Sequence, residues 1–134
     1  SIGVSEKSEA IMIENTVKAN QLVAVGIPGG SEAILIGNTL TRDSGMPPIV
    51  AVLSDSSATL IENKINGGGI AAIMLSGKLH AISNQLTGKN GAFGVLAKEN
   101  SEAILYGNEI TGFRTSVGNQ GAKSVTVDGA AISE

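Results

Sequence analysis

A short repeated unit constrains the fold of this chain more than any other sequence feature. Three near-copies, SEAIMIEN, SEAILIGN and SEAILYGN, start at Ser8, Ser31 and Ser101. Looser copies occupy residues 56–63 and 77–84, and a degenerate last copy occupies residues 122–129. A period of this size in a small chain indicates a repeat architecture, in which each unit is stable only when it stacks on its neighbours.

One position of the unit sets the period. It is occupied by Asn15, Asn38, Asn63, Asn84 and Asn108, and by Gly129 in the last copy, at intervals of 23, 25, 21, 24 and 21 residues. Each copy is rich in Ile, Val, Leu and Ala and is bounded by Ser, Asn or Gly, which predicts short strands separated by turns. A second apolar run lies between successive anchors, so each period holds about three strands. The apolar residues lack the 3.6-residue spacing of helical repeats.

Strands that recur once per coil and stack on their own copies form parallel sheets. We therefore predict an all-β chain, a single-stranded right-handed parallel β-helix of about six coils with 21–25 residues per coil, forming one domain over residues 1–134. At a strand spacing of about 4.8 Å the body would be about 30 Å long. A left-handed β-helix of hexapeptides would need about 18 residues per coil, which no interval here matches.

We expect the asparagines to have two roles. Their backbone can adopt the left-handed conformation that a sharp bend between strands requires, and Gly129 could do so more easily. Their side chains, if they point inward, can form an asparagine ladder in which each amide satisfies the next, at about 1 kcal/mol per hydrogen bond.

The alternation of side chains along a strand predicts an apolar outer surface. With the asparagines inward, two neighbouring columns of the unit must face outward. We predict a self-association face formed by Ile11, Ile13, Ile34, Ile36, Ile61, Ile82, Ile104, Tyr106, Val125 and Val127. Such a patch is large for a monomer, so a second copy packed sheet to sheet would make a homo-oligomer. Alternatively, the turn at residues 41–48 or the termini could fold over it.

Composition limits the other classes of function. The net charge of −3 comes from 12 acidic and 9 basic residues without a basic run, which argues against nucleic acid as a partner. No apolar stretch is long enough for a membrane span, and no export leader is visible. The chain has no cysteine, and its one histidine, His80, falls in an outward column, so we expect neither a metal site nor a cofactor.

The unit S-x-A-x-[IL]-x-x-N-x-[ILV] resembles the parallel β-helix repeat of the pectate-lyase-like superfamily, including its carbohydrate-binding and sugar-hydrolase type of repeat. The resemblance covers residues 8–132 and implies the fold, a polysaccharide as a candidate partner, and an extracellular or cell-surface bacterial location. Lyases of that superfamily use clustered acidic residues for Ca²⁺ and an arginine base, which here leaves only Asp43, Asp55 and Arg42. The clustered aspartates and the Gly-His-Gly motif of its hydrolases are missing from the sequence.

Two functions from different classes follow. The first is a non-enzymatic structural or interaction module that self-associates through its apolar sheet, with glycan or surface binding by its loops as an extension. The alternative is a reduced or truncated polysaccharide lyase or hydrolase that acts on an acidic polymer. An ice-binding face would need regular outward threonines, and only Thr59 occurs in the two outward columns of the predicted self-association face.

Overall fold

The computed structural model describes residues 2–3, 7–19 and 21–133. These residues form sixteen strands and no helix, in two sheets that wind as a parallel solenoid. Sheet 1 contains β2 (Glu9–Ile13), β5 (Glu32–Ile36), β8 (Ser57–Ile61), β11 (Lys78–Ile82), β13 (Glu102–Tyr106), β15 (Ser124–Val127) and β16 (Ala130–Ala131). Its first six strands are parallel, so they are separated by five turns of the solenoid, close to the predicted six coils.

Sheet 2 bends around the other two sides of the coil. One arm, 2a, contains β3 (Thr16–Ala19), β6 (Thr39–Arg42) and β9 (Lys64–Asn66). The other arm, 2b, contains β1 (Ile2–Gly3), β4 (Val25–Ile27), β7 (Val50–Val52) and β10 (Ala71–Leu75). The long strands β12 (Gln85–Ala97) and β14 (Glu109–Asn119) run through the corner and belong to both arms. The prediction of three short strands per coil is therefore confirmed in the early coils, whereas in the later coils two of them merge.

Like side chains lie above one another because the parallel strands are in register. Sheet 1 pairs Ala10 with Ala33 and Met12 with Leu35, and the same columns continue through the fifth coil. Their inward members, such as Leu35 and Leu60, are fully buried. Columns of Val, Leu and Ile from both arms of sheet 2 complete a core that is almost entirely aliphatic, as the composition requires.

The sharp bends that leave sheet 1 are not made by the asparagines. The residue with positive φ is the one before each asparagine, for example Glu14 (φ 53°), Gly37 (φ 66°) and Glu62 (φ 54°). The predicted backbone role of the asparagines is therefore wrong. The residue before each asparagine is exposed to solvent, and the bend is made at that residue. The asparagine therefore keeps the inward orientation that its own hydrogen bonds need.

The last coil is displaced by one residue from the predicted frame. Val125 pairs with Ala103 and Val127 with Leu105, so Val125 is only 2% exposed and Val127 packs against the core. The prediction that both valines face outward is wrong, and Gly129 is not an anchor. The predicted frame would have buried Ser124 and Thr126 in place of two valines, which the core disfavours. After β15 the chain reverses, and β16 pairs with it antiparallel.

Candidate interaction surface

An uncovered apolar strip runs along the outer face of sheet 1. It consists of two adjacent columns that the register aligns across coils one to five. The apolar members are Ile11, Ile13, Ile34, Ile36, Ile61, Ile82, Ile104 and Tyr106. Five of them are exposed, from 39% at Ile34 to 67% at Ile11, whereas Ile36, Ile61 and Ile82 are half-buried. We call this set the apolar strip; it retains eight of the ten residues predicted for the self-association face.

The turn predicted as an alternative cover for this face lies elsewhere. Residues 43–48 follow β6 at the corner between the two arms of sheet 2, where Gly45 packs on Gln21 and the Met46 carbonyl accepts a hydrogen bond from the Ile70 N–H. This corner is on another side of the coil. Among the described residues, none shields the strip at its two ends, where Ile11, Ile13, Ile104 and Tyr106 are exposed.

Acidic side chains border the apolar strip on both sides. One border, at the start of the strands, holds Glu9, Glu32, Lys78 and Glu102, with the Lys78 Nζ 3.6 Å from a Glu102 carboxylate oxygen. The other border follows the strands and holds Glu14, Glu62 and Asp128. Lys123 does not join the first border, because Ser124 takes that register position. The strip is therefore an apolar surface between two net negative borders.

His80 interrupts the strip in its middle. It is exposed, next to Thr59 in the register, and lines a shallow depression of about 290 Å³ together with Lys78 and Ile104. No second titratable side chain of the described residues forms an ion pair with it. Its exposure within the strip makes its side chain available for contact with a partner.

The five asparagines form one continuous file inside the coil. The Oδ1 atom of each of the later four accepts hydrogen bonds from the backbone N–H and the Nδ2 group of the asparagine one coil earlier, at 2.8–3.1 Å. The Nδ2 groups of the later four also donate to a main-chain carbonyl of the previous coil, as from Asn63 to Leu35 at 2.8 Å. Each of these side-chain amides therefore bonds to the main chain of the previous coil as well as to the asparagine side chain there. Asn38, Asn63 and Asn84 are buried, and Asn15 is exposed at the first coil.

The three residues of the alternative acidic site lie in different surroundings. Asp43 is exposed and pairs with Lys18 at 3.2 Å. Asp55 is exposed at another corner, where arm 2b leads into sheet 1. Arg42 is 1% exposed and its side chain points into the protein. In the part of the chain that the structure describes, no three acidic or histidine side chains are grouped as metal ligands. Nothing in this arrangement supports Ca²⁺-dependent chemistry.

The interior position of Arg42 was not visible from the motif. Its Nη2 group donates to the carbonyls of Gly45 and Gly68, whereas Nε and Nη1 have no partner among the described groups. Burial lowers the pKa of Arg42 from its ordinary value. The run of glycines at 67–69 makes room for the guanidinium, since a Cβ at Gly69 would lie 2.4 Å from Nη2. In the sequence, the three consecutive glycines are the feature that indicates a large side chain packed against this turn.

The outer face of arm 2a is polar, in contrast to the outer face of sheet 1. Its two outward columns mix threonine with lysine, asparagine, glutamine and glutamate, as in the aligned residues Thr39 and Lys64 or Thr41 and Asn66. These columns lack the regular threonine array of an ice-binding face. The three sides of the coil therefore differ in character, and of the exposed isoleucines, all but Ile70 lie on sheet 1.

No helix of the described residues is long and apolar enough to cross a membrane. Comparisons of the chain with protein-family models, with curated proteins and with solved structures found no match, so the likeness to pectate-lyase-type repeats rests on the sequence motif alone.

Proposed function

We propose that this protein is a non-enzymatic interaction module that self-associates through the apolar strip of sheet 1. The observation that carries the proposal is the exposure of aligned isoleucines on an in-register sheet. Aligned β-branched side chains on two flat sheets can interdigitate face to face, as in β-sandwiches, with the sheets about 10 Å apart. Removal of this apolar surface from water is the driving force.

The dimensions of the strip set the strength of the association. Five strands at about 4.8 Å and two columns of side chains give about 24 Å by 13 Å, or about 300 Å². This area is within the range of about 300–600 Å² that monomers expose, so the expectation of a patch too large for a monomer is wrong. A standard interface buries about 800 Å² per partner, so the strip alone supports a weak, concentration-dependent complex and not a permanent dimer. Glycan or surface binding by the loops is an additional proposal, which the small aromatic content does not favour.

Sedimentation velocity over about 10 μM to 1 mM protein tests the proposal, since this range brackets a weak complex. We expect the mean mass to rise above 13.5 kDa with concentration. The variant with Ile36→Asp and Ile61→Asp places two charges on adjacent coils of the strip and should stay monomeric. The matched control, Thr41→Asp with Asn66→Asp, changes the same two coils on arm 2a and should associate like the parent. A parent chain that is monomeric throughout would refute self-association.

The enzymatic alternative has its own test. A lyase acting on acidic polysaccharide would show a rise in melting temperature with Ca²⁺ and would release unsaturated products that absorb in the ultraviolet. We expect neither, because Arg42, Asp43 and Asp55 do not form a common site. Either signal would favour the enzyme over the interaction module.

A further inference from the structure

One corner of the solenoid lacks part of a coil. Where arm 2b leads into sheet 1, four of the coils use four-residue turns: residues 28–31, 53–56, 98–101 and 120–123. Between the second and the third of these turns, the connection from β10 to β11 is only Ser76 and Gly77. The register on both sides is continuous, so the shorter turn leaves a gap one coil high. We call this gap the notch.

The backbone around the notch is missing one hydrogen-bonded neighbour on each side. In the complete turns, the third residue bonds to the next coil: the Gly30 N–H donates to the Asp55 carbonyl at 2.8 Å, and the Asn100 N–H donates to the Gly121 carbonyl at 3.1 Å. The fourth coil has no residue at this position. The Asp55 N–H on one rim and the Asn100 carbonyl on the other therefore face each other across about 9.6 Å, twice the strand spacing of about 4.8 Å.

The notch is roomy and carries net negative charge. It encloses about 550 Å³, the size of a small-ligand pocket. Its walls hold four carboxylates, from Glu32, Asp55, Glu99 and Glu102, against the ammonium groups of Lys78 and Lys123. Lys78 is paired with Glu102 at 3.6 Å. Asp55 and Glu99, on opposite rims, make no ion pair with any described residue.

We propose that the notch binds a short cationic peptide segment of a partner protein, which fills the missing turn. A peptide group accepts from one neighbour and donates to the other along one axis, which is the pairing that the Asp55 N–H and the Asn100 carbonyl lack. A lysine or arginine of the segment would bring a positive charge between the Asp55 and Glu99 carboxylates. The notch is at a different corner from the unpaired Nε and Nη1 atoms of Arg42. The proposed peptide binding does not depend on the apolar strip.

The test uses the whole chain and N-acetyl-Gly-Lys-Gly-amide as the probe, followed by amide chemical shifts in ¹⁵N-labelled protein. We expect saturable shifts at Asp55, Ser76, Gly77 and Asn100, with a dissociation constant in the millimolar range that suits so small a probe. N-acetyl-Gly-Glu-Gly-amide, the acidic control peptide, should bind at least about tenfold more weakly. Equal binding of the acidic peptide, or no shifts with the basic one, would overturn the proposal.

Two variants separate the notch from the rest of the surface. Replacement of Ser76 and Gly77 by Lys-Glu-Asn-Ser, the turn sequence of residues 98–101, should fill the gap, raise the melting temperature and abolish binding. Asp55→Gln with Glu99→Gln leaves the backbone unchanged and should weaken binding at least about tenfold through loss of charge alone. Undiminished binding in a folded form of either variant would contradict the assignment.

Discussion

At the scale of single residues, the asparagine file joins the backbone of successive coils. Asn63 illustrates this, because its Oδ1 atom accepts two hydrogen bonds from Asn38 and its Nδ2 group donates to the Leu35 carbonyl and to Asn84. All of these groups are away from bulk water. A hydrophobic residue of similar size would bury the same surface but would leave the main-chain groups without partners.

The Asn63→Ala variant should therefore lose about 2–4 kcal/mol of unfolding free energy, since two or more buried groups lose a partner at about 1–3 kcal/mol each. Urea denaturation followed by circular dichroism measures the loss. Asn15→Ala, at the exposed end of the same file, is the control and should cost under about 1 kcal/mol. Equal losses at the two positions would contradict a ladder whose contribution depends on burial.

A second prediction at this scale concerns the pocket that holds the Arg42 side chain. Gly69 has φ +102°, and a Cβ there would lie 2.4 Å from the Arg42 Nη2 atom and 2.8 Å from the Gly45 carbonyl oxygen. Gly69→Ala should destabilise the protein by about 2–4 kcal/mol through backbone strain and overpacking.

Gly26→Ala is the control for Gly69→Ala. A Cβ at Gly26 would meet nothing within 4 Å, and the backbone there has an ordinary φ. Its unfolding free energy in urea should change by less than about 0.5 kcal/mol. A neutral Gly69→Ala variant would show that the guanidinium is not packed against this turn.

At the scale of the elements, the repeat was sufficient to predict sheet 1 and the inward columns of its first five strands. These five copies share the asparagine and the alternation of apolar residues, and a one-residue slip would have exposed the inward leucines of sheet 1. The last copy was misaligned because its sequence, AKSVTVDG, alternates valine with serine and threonine and lacks the asparagine. Only the burial preference of Val125 and Val127 over Ser124 and Thr126 decides its register.

This register can be tested by two substitutions in β15. Val125→Ser places a hydroxyl in the core and should cost about 1–3 kcal/mol, whereas Thr126→Val, on the outer face, should change stability by less than about 0.5 kcal/mol. The reversed order of effects would restore the frame predicted from the repeat. Thermal melts of both variants in parallel are sufficient.

The notch and the buried arginine were beyond the reach of the repeat, although each left a trace in the sequence. The interval from Asn63 to Asn84 is 21 residues, shorter than the 25 before it, but an interval does not tell which of three corners has lost residues. That assignment needs the pairing of β10 and β11 with both neighbouring coils. Likewise, only the alternation of β6 places Arg42 inward. Arginine is seldom fully buried, so the residue type argues against this position.

At the scale of the whole molecule, the borders of the apolar strip oppose the association that the strip favours. A two-fold axis that passes through the third coil, the middle of the strip, and pairs antiparallel solenoids face to face sets Glu9 of one copy against Glu102 of the other and Glu62 against Glu62, whereas Glu32 meets Lys78. A two-fold axis that keeps the solenoids parallel brings Glu9 close to Glu14. In both geometries carboxylates meet carboxylates, so self-association at low salt works against electrostatic repulsion.

Self-association should therefore strengthen as salt is added, because the Debye length falls from about 30 Å at 0.01 M to about 8 Å at 0.15 M and screens the repulsion. Sedimentation velocity at these two sodium chloride concentrations, at equal protein concentration, measures the change in mean mass. Glu9→Gln with Glu62→Gln removes one carboxylate from each border without touching the isoleucines, so this variant should associate at low salt more strongly than the parent does at low salt. Association that weakens with salt would mean that ion pairs, and not the isoleucines, hold the copies together.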